Sequence, residues 1–288
     1  MIETLRHKTP KDENFPVASC LFTKHNQKIV MVYYHFARYS DDIADNPLLS
    51  STEKKEKLAL IEKSLYGQKI DNPEITALTQ PLFKIFQKEN LSLSLAGDLL
   101  TAFRADAENF HYETWGQLIA YCQNSAAPVG RFLLALHNEN PSTYLPASAL
   151  CAALQILNHV QDVKYDAKIL KRVYIPDELL SQFKVKPLAL RRNKSSKALK
   201  KLVNEMLSRI EALLKDAEVL TQIVVSRRLK IEICIILSLT TLLIKKIRKG
   251  DVLAQEIRLS KTDWSKAVLC GLWQSLWIRR KTLTNKGF

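Results

Sequence analysis

Glycine and proline are too scarce in this chain to make the many tight turns that a β-sandwich or β-barrel requires. Only 7 glycines and 10 prolines occur among 288 residues, whereas such folds need a turn at roughly every tenth position. Apolar residues recur instead with the spacing of one helix face, and no alternating strand pattern competes. The sequence therefore predicts an all-α fold. Helices are expected near residues 26–45, 53–66, 74–89, 92–110, 114–138, 146–167, 196–220, 227–248 and 263–281.

The overall composition is that of an ordinary globular protein. Hydrophobic residues make up 47% of the chain and charged residues 25%, which excludes a disordered or collagen-like protein. The length is enough for one large domain or two small ones. Lysine and arginine outnumber aspartate and glutamate by 43 to 29, a net charge of +14. This surplus favours anionic partners such as a membrane surface, nucleic acid or a phosphorylated substrate.

The cysteines and the N-terminus indicate a cytoplasmic protein. The five cysteines are widely spaced and form no C-x-x-C pair, so we expect them to be reduced. Residues 1–15 are polar and contain no apolar stretch of the kind that a secretory signal requires. We therefore predict a cytoplasmic location.

Two apolar segments near the C-terminus bear on membrane contact. The run 231–244 has 14 residues and contains Glu232. Because about 20 apolar residues are needed to span a bilayer, we predict a buried helix there. Residues 264–281 combine tryptophans, leucines and a basic end, a pattern typical of an amphipathic helix at a membrane surface. A terminal helix docked on the core fits this pattern equally well.

Three aspartates, Asp41, Asp42 and Asp45, follow an apolar helical stretch. Asp41 and Asp45 are i,i+4 neighbours, so their carboxylates project from one helix face, with Arg38 and Tyr34 one and two turns earlier. No lysine or arginine lies at i+4 to balance them, and their repulsion costs roughly a few tenths of a kcal/mol. A cation would relieve it, and hard oxygen ligands suit Mg²⁺. A solvated acidic helix turn is the alternative interpretation.

A second acidic pair lies on a polar stripe later in the chain. Gln155, Asn158, Asp162 and Asp166 fall at i, i+3, i+7 and i+11 of the predicted helix 146–167, which places them on one face. Burial of a carboxamide and two carboxylates is costly without partners, so the stripe should line a polar or metal-filled cavity. The polar face of a solvated amphipathic helix would look the same.

Together the two aspartate pairs indicate a divalent-metal site for a diphosphate. If the two helices face each other, their carboxylates would hold a small Mg²⁺ cluster that clamps a diphosphate and neutralises the charge that develops as it leaves. Arg172 and Tyr174, just after the second pair, would add a guanidinium fork and a phenol donor.

In the order of its motifs, the chain resembles the squalene/phytoene synthase family over essentially residues 12–250. The resemblance implies the all-α isoprenoid-synthase fold, in which aspartate-rich helices lie opposite one another across a central cavity. It also implies a single domain over residues 1–288, with a C-terminal amphipathic helix near residues 263–281. Lys171 stands where the family usually has glycine. The matching pieces are Tyr34…Arg38…Asp41-Asp42-x-x-Asp45, Tyr121-Cys122-x-x-x-Ala126-x-x-Val129-Gly130, Gln155…Asn158…Asp162-x-x-x-Asp166 and Arg172-x-Tyr174-x-Pro176.

The same resemblance assigns roles to residues of this chain. It implies that Tyr121, Asp41 and Asp162 are catalytic, with Tyr121 close to the reacting carbocation. The aspartates would bind the diphosphate through Mg²⁺, which makes Asp41, Asp42, Asp45, Asp162 and Asp166 the metal ligands. The diphosphate-binding residues implied by the family are Asn14, Phe15, Tyr34, Arg38, Gln155, Asn158, Arg172 and Tyr174.

The N-terminal segment resembles one subgroup of the family, the hydroxysqualene synthases of bacterial hopanoid pathways. Its sequence Glu13-Asn14-Phe15-Pro16 departs from the His-Ser-x-Ser-Phe motif of members that condense two prenyl diphosphates. The implied reaction ionises presqualene diphosphate with Mg²⁺, rearranges the cation and quenches it with water to give hydroxysqualene. No hydride donor is needed, so we expect no NADPH.

Other functions are compatible with parts of the sequence. A condensing enzyme that makes presqualene diphosphate, squalene or phytoene would need a first-substrate site around Asn14 and Phe15. A catalytically silent helical protein at the membrane surface would tend to lose the aspartates, which are present here. Nucleic acid is not an expected partner, because no recognition helix or aromatic-basic platform is visible. We expect a prenyl or triterpenyl diphosphate substrate, peripheral contact with the anionic inner face of the membrane, and contact with other enzymes of the squalene pathway.

Overall fold

The computed structural model describes residues 19–278, which form helices joined by short connections. No β-strand occurs in this range, which confirms the predicted all-α class. Irregular turns include a π-helical turn at Asp166–Leu170 and 3₁₀ turns at Pro141–Thr143 and Pro187–Arg191. The α-helices are α1 (Lys24–Asp45), α2 (Ser51–Leu65), α3 (Pro73–Lys88), α4 (Ser94–Ala107), α5 (Trp115–Ser125), α6 (Ala127–Leu136), α7 (Tyr144–Gln161), α8 (Val163–Tyr165), α9 (Asp177–Gln182), α10 (Lys197–Ala217), α11 (Leu220–Ile223), α12 (Arg227–Lys249) and α13 (Lys261–Trp277).

Aromatic rings from three helices form the centre of the core beside α1. The rings of Tyr33 and Phe132 stack with centroids 4.1 Å apart, and Phe86 lies 5.7 Å from Phe132. The Tyr33 hydroxyl donates to the carbonyl of Leu95 at 2.6 Å, so its polar end is paired inside the core. These contacts hold α1 against α3, α4 and α6, and α7 packs on the other side against α5, α6 and α10.

Two predicted helices are interrupted. The stretch predicted at 114–138 forms α5 and α6, which meet at Ala126, whose φ of −130° is not helical. Pro128 lacks the N–H that a continuous helix would need at that turn. The stretch predicted at 146–167 ends at Gln161, and the chain then widens into the π-helical turn that begins at Asp166. The helix predicted as continuous over 146–167 is therefore interrupted beyond the end of α7.

The apolar run 231–244 lies within α12, as predicted for a buried helix. Cys234 and Leu239 are fully buried. Glu232 is buried as well, and one of its oxygens accepts a hydrogen bond from the Ser19 hydroxyl at 2.5 Å, while Oε1 has no partner among residues 19–278. In the described part of the chain, no helix has both the length and the apolarity needed to cross a membrane.

Glu232→Gln should change how stability depends on pH. Burial raises the pKa of Glu232, so the folded protein binds this proton more tightly than the unfolded chain does. The resulting stabilisation is present below the unfolded-state pKa and is lost as the pH rises through the folded-state pKa. Denaturation curves between about pH 4 and pH 8 should show the variant gaining stability relative to wild type as the pH rises. If the free energies of unfolding of the variant and wild type changed in parallel with pH, this expectation would be contradicted.

α13 packs on α12 through small residues and leaves an apolar face outside. Ala267 is fully buried, and a Cβ added at Gly271 would lie 2.7 Å from the backbone nitrogen of Ile235. An ion pair between Lys246 and Asp263 also joins the two helices. The C-terminal segment is therefore docked on the core, and it also has the exposed apolar face of an amphipathic helix. That face consists of Leu269, Leu272, Trp273, Leu276 and Trp277.

Gly271→Ala should destabilise the protein because the added methyl group overlaps the α12 backbone. Overpacking of this kind costs about 1–3 kcal/mol. Gly116→Ala in α5 is the matched control, since its added Cβ meets nothing closer than 3.7 Å and should stabilise by about 0.4–1 kcal/mol. Urea denaturation of both variants measures the difference. Equal free energies of unfolding would show that α13 does not depend on this close contact.

Candidate active site

The first acidic set lies at the C-terminal end of α1. Arg38 reaches forward along the helix, with Nη2 3.0 Å from an oxygen of Asp41 and Nε donating to Asp42 at 2.9 Å. Arg38, predicted one turn earlier on the same face, therefore contacts Asp41 and Asp42 directly. The Asp42 side chain is 46% exposed, whereas that of Asp45 is 17% exposed. Asp45 thus points towards the interior and Asp42 towards solvent.

Negative charge remains concentrated at this helix end. The C-terminus of a helix carries partial negative charge, and no basic residue lies in the last turn of α1. Burial and the neighbouring carboxylate of Asp45 raise the pKa of Asp41, although Arg38 opposes the shift. The end of α1 is consequently a place where a cation is favoured.

The second polar set spans the C-terminal end of α7 and the turn after it. The amide of Gln155 donates to Nε2 of His159 at 3.1 Å, and Nδ1 of His159 lies 3.5 Å from an oxygen of Asp166. Asn158 and Asp162 are half-buried beside them. The residues predicted on this stripe therefore lie close together. The side-chain directions of Asp162 and Asp166 depend on the irregular backbone that follows Gln161.

Arg172 joins the segment after the second set to the end of α1. Its Nη1 lies 2.5 Å from an oxygen of Asp45, and its Nη2 donates to the carbonyl of Ala44 at 2.8 Å. The guanidinium is 6% exposed. Arg172, predicted as a fork for phosphate, is therefore engaged with Asp45, and this contact brings the two acidic regions of the chain to one place.

An acidic residue that the sequence analysis missed lies beneath these contacts. Asp106, on α4, is buried and accepts hydrogen bonds from the hydroxyls of Tyr121 at 2.8 Å and Tyr174 at 2.7 Å. Burial raises the pKa of Asp106, while Arg172 and the two hydroxyls oppose the shift. Asp106 lies on the apolar face of α4, one turn after Phe103, and this position in the sequence could have indicated that it is buried.

His159 was also missed, because its spacing matches no metal-binding motif. Its ring stacks on that of Tyr174 with centroids 3.6 Å apart, and the ring of Tyr121 lies 6.1 Å away. Tyr112 completes the group, 5.2 Å from Tyr121. We call Tyr112, Tyr121, His159 and Tyr174 the aromatic cluster.

The remaining predicted residues fall outside this geometry or outside the description. Tyr34 is half-buried on α1, two turns before the aspartates. Asn14 and Phe15 lie outside the described residues. A cavity of about 540 Å³ occurs elsewhere, among α10, α12 and α13, where Leu237 and Ala267 line it, and it contains none of the predicted site residues.

A Mg²⁺ site is compatible with the acidic residues present. Within residues 19–278, no three acidic, histidine or cysteine side chains converge closely enough to enclose a metal ion by themselves. Mg²⁺ does not require this, because it keeps several waters and is held by one or two carboxylates together with substrate phosphates. Asp41 and Asp45 offer neighbouring oxygens whose repulsion a cation would relieve. The predicted ligand set is therefore chemically suitable and stays a prediction.

Sequence comparisons identify the class of protein that has this site. The model of the squalene/phytoene synthase family matches residues 8–265, so the chain belongs to the squalene/phytoene synthase family. A hydroxysqualene synthase of Rhodopseudomonas palustris is 37% identical over 89% of this chain and 87% of its own length. A hydroxysqualene synthase of Zymomonas mobilis is 35% identical over 88% of this chain and 84% of its own. The predicted resemblance to this family and subgroup is confirmed.

Solved structures support the fold. A dehydrosqualene synthase superposes with a TM-score of 0.76 at 21% identity and covers 91% of both chains. A squalene synthase from Alicyclobacillus acidocaldarius superposes with a TM-score of 0.70 at 24% identity over 81% of this chain and 87% of its own. These identities support the isoprenoid-synthase fold and carry no further conclusion about activity.

Lys171→Gly should stabilise the connection that positions Arg172. Lys171 has φ 58° and ψ 30°, a left-handed conformation that costs a residue with a Cβ about 1–2 kcal/mol and that glycine adopts freely. The left-handed backbone at Lys171 explains why glycine is the usual residue at this position in the family. Thermal and urea unfolding should show a gain of about 1 kcal/mol. Lys201→Gly, at an exposed helical position in α10, is the control and should lose stability; a loss in both variants would refute the strain.

Proposed function

We propose that this chain catalyses the Mg²⁺-dependent conversion of presqualene diphosphate to hydroxysqualene. The observation that carries the proposal is the junction at the end of α1, where Arg172 contacts Asp45 beside the aromatic cluster. A charged end next to a ring-lined interior suits a substrate with a diphosphate head and a long hydrocarbon body. The relatives that bear the name hydroxysqualene synthase support the same reaction.

The polar end of the site serves the departing diphosphate. Burial opposes the charge on both arginines, but neighbouring acidic groups outweigh it and raise the pKa of both guanidinium groups. These groups are the aspartates of α1 for Arg38, and Tyr174, Asp106 and Asp45 for Arg172. Both side chains therefore stay cationic and can balance charge as the carbon–oxygen bond breaks and its electron pair leaves with the diphosphate. When bound by Asp41, Asp45, Asp162 and Asp166, Mg²⁺ would supply the remaining neutralisation of the leaving group.

The aromatic end of the site serves the cation that remains. The faces of Tyr121 and Tyr174 attract positive charge through their π electrons. The hydroxyls of both rings donate to Asp106, so both oxygens are engaged in hydrogen bonds within the protein. The buried carboxylate of Asp106 adds negative charge beneath the rings. This arrangement favours rearrangement of the cation over its capture by a protein side chain.

The activity test compares two substrates. With Mg²⁺ and no NADPH, the purified chain should convert presqualene diphosphate to hydroxysqualene, identified by mass spectrometry. Farnesyl diphosphate should not be consumed under the same conditions. Hydroxysqualene that forms only from farnesyl diphosphate would favour the condensing alternative, and no turnover of either substrate would contradict the proposal.

Asp41→Asn and Asp162→Asn should each lower turnover by at least about 10²-fold, because each removes an anionic oxygen from the proposed metal site. Circular dichroism should show that both variants stay folded. Asp216→Asn, on the exposed side of α10, is the matched control and should retain wild-type turnover. Wild-type activity in either site variant would remove that residue from the metal site.

We further propose that α13 rests on an anionic lipid bilayer. Trp273 and Leu276 are 63% and 71% exposed on its outer face, and the chain continues into Arg279, Arg280 and Lys281. Exposed tryptophans and leucines next to basic residues match the chemistry of an anionic membrane interface. Such contact would let the enzyme collect a water-insoluble substrate and release a hydrocarbon-like product.

The double variant Trp273→Ala/Trp277→Ala should bind vesicles that contain phosphatidylglycerol at least about tenfold more weakly than wild type does. Co-sedimentation with wild type should be strong on these vesicles, weak on pure phosphatidylcholine vesicles, and reduced by salt. Leu48→Ser/Leu145→Ser is the control, because both leucines are exposed elsewhere, 90% and 82% respectively. Equal binding to neutral and anionic vesicles, or undiminished binding by the tryptophan variant, would rule out this surface.

A further inference from the structure

Tyr112 carries a buried hydroxyl that no group in the described part of the chain satisfies. It lies between α4 and α5, is 3% exposed, and has no hydrogen-bond partner for its oxygen among residues 19–278. Its backbone is ordered by the N–H of Asp177, which donates to the Tyr112 carbonyl at 2.9 Å. A buried polar group without a partner is costly, so it calls for a ligand, an ordered water or a functional role.

The surroundings of this hydroxyl differ from those of the neighbouring tyrosines. Tyr121 and Tyr174 each donate to one oxygen of Asp106, and neither hydroxyl is free to hold another molecule in that direction. The Tyr112 ring lies 5.2 Å from the ring of Tyr121 and 6.0 Å from that of Tyr174. Three phenols thus share one buried cluster, and only the Tyr112 oxygen is uncommitted among them.

A water molecule is the ligand that fits this position. The hydroxyl can both donate and accept, since burial and the charge of Asp106 raise the pKa of Tyr112 and keep it protonated. A buried water needs two or more polar partners, and the Tyr112 oxygen and the Asp106 carboxylate beneath the cluster are candidates.

We propose that Tyr112 is a water-positioning residue, whose hydroxyl holds the water molecule that captures the rearranged cation. The inference rests on the proposed function. When Tyr112 accepts a hydrogen bond from this water, a lone pair of the water oxygen is left to face the cluster. The lone pair forms the carbon–oxygen bond, and the resulting oxonium gives one proton to the diphosphate released in the first step. Cation and water become alcohol, with no oxidant or reductant.

The competing fate of the same cation is loss of a proton from a neighbouring carbon, which gives a hydrocarbon with one more double bond. A fixed water beside the cation favours the alcohol because no solvent molecule has to be recruited into an apolar site. The Tyr112 hydroxyl therefore sets the ratio of alcohol to hydrocarbon. A purely structural role of the residue would alter stability or turnover but not this ratio.

Tyr112→Phe removes only the oxygen and keeps the ring. The purified variant and wild type are incubated with presqualene diphosphate and Mg²⁺ in water enriched in ¹⁸O, and all triterpene products are quantified by mass. We expect the ratio of ¹⁸O-labelled hydroxysqualene to hydrocarbon to fall at least tenfold in the variant, whatever its rate. Tyr144→Phe, a half-buried tyrosine on α7 outside the cluster, should keep the wild-type ratio.

The outcomes separate this inference from the proposed function. A wild-type product ratio in Tyr112→Phe would overturn the inference and leave the proposed function intact. Failure of wild type to consume presqualene diphosphate would overturn both. Loss of an unpaired hydroxyl should not harm folding, which thermal unfolding checks. If Tyr112→Phe were unfolded, the hydroxyl would have a structural role, and this result would also overturn the inference.

Discussion

The site depends on how one buried guanidinium is neutralised. Removing Arg172 from water costs several kcal/mol, and its ion pair with Asp45 and its hydrogen bond to the Ala44 carbonyl offset that cost. Loss of one partner from such a pair typically costs about 3–5 kcal/mol. The folded chain therefore holds the connection after α7 against the end of α1. Because both acidic regions are attached to this contact, folding itself assembles the polar end of the site.

Charge and aromatic surface are separated on either side of that contact. Arg38, Arg172 and the aspartates of α1 lie at the polar end, while the rings of Tyr121 and Tyr174 form the other end over Asp106. This separation matches a substrate whose bond breaks into a diphosphate anion and a hydrocarbon cation. Each fragment would be left beside the charge or the ring face that stabilises it.

Local sequence signals located most helices because they act within one or two turns. Helical periodicity predicts that α1 starts at residue 26, and in the structure it begins two residues earlier, at Lys24. The buried helix α12 follows from its apolar run. The same signals failed at Ala126 and after Gln161. There the backbone departs from the α-helix although the apolar spacing continues, so periodicity alone could not reveal the break.

The sequence by itself determined the all-α class, the family, and the two aspartate pairs with their neighbouring arginines, because each of these depends on residues close together in the chain or on motifs read in order. Only the tertiary structure decided that Arg172 pairs with Asp45, 127 positions away, and that Tyr174 reaches Asp106 across 68. It also decided that the hydroxyl of Tyr112 is buried with no partner among residues 19–278. The physical reason is that these contacts arise from the packing of distant helices, which fixes burial and hydrogen bonding but leaves no local spacing pattern.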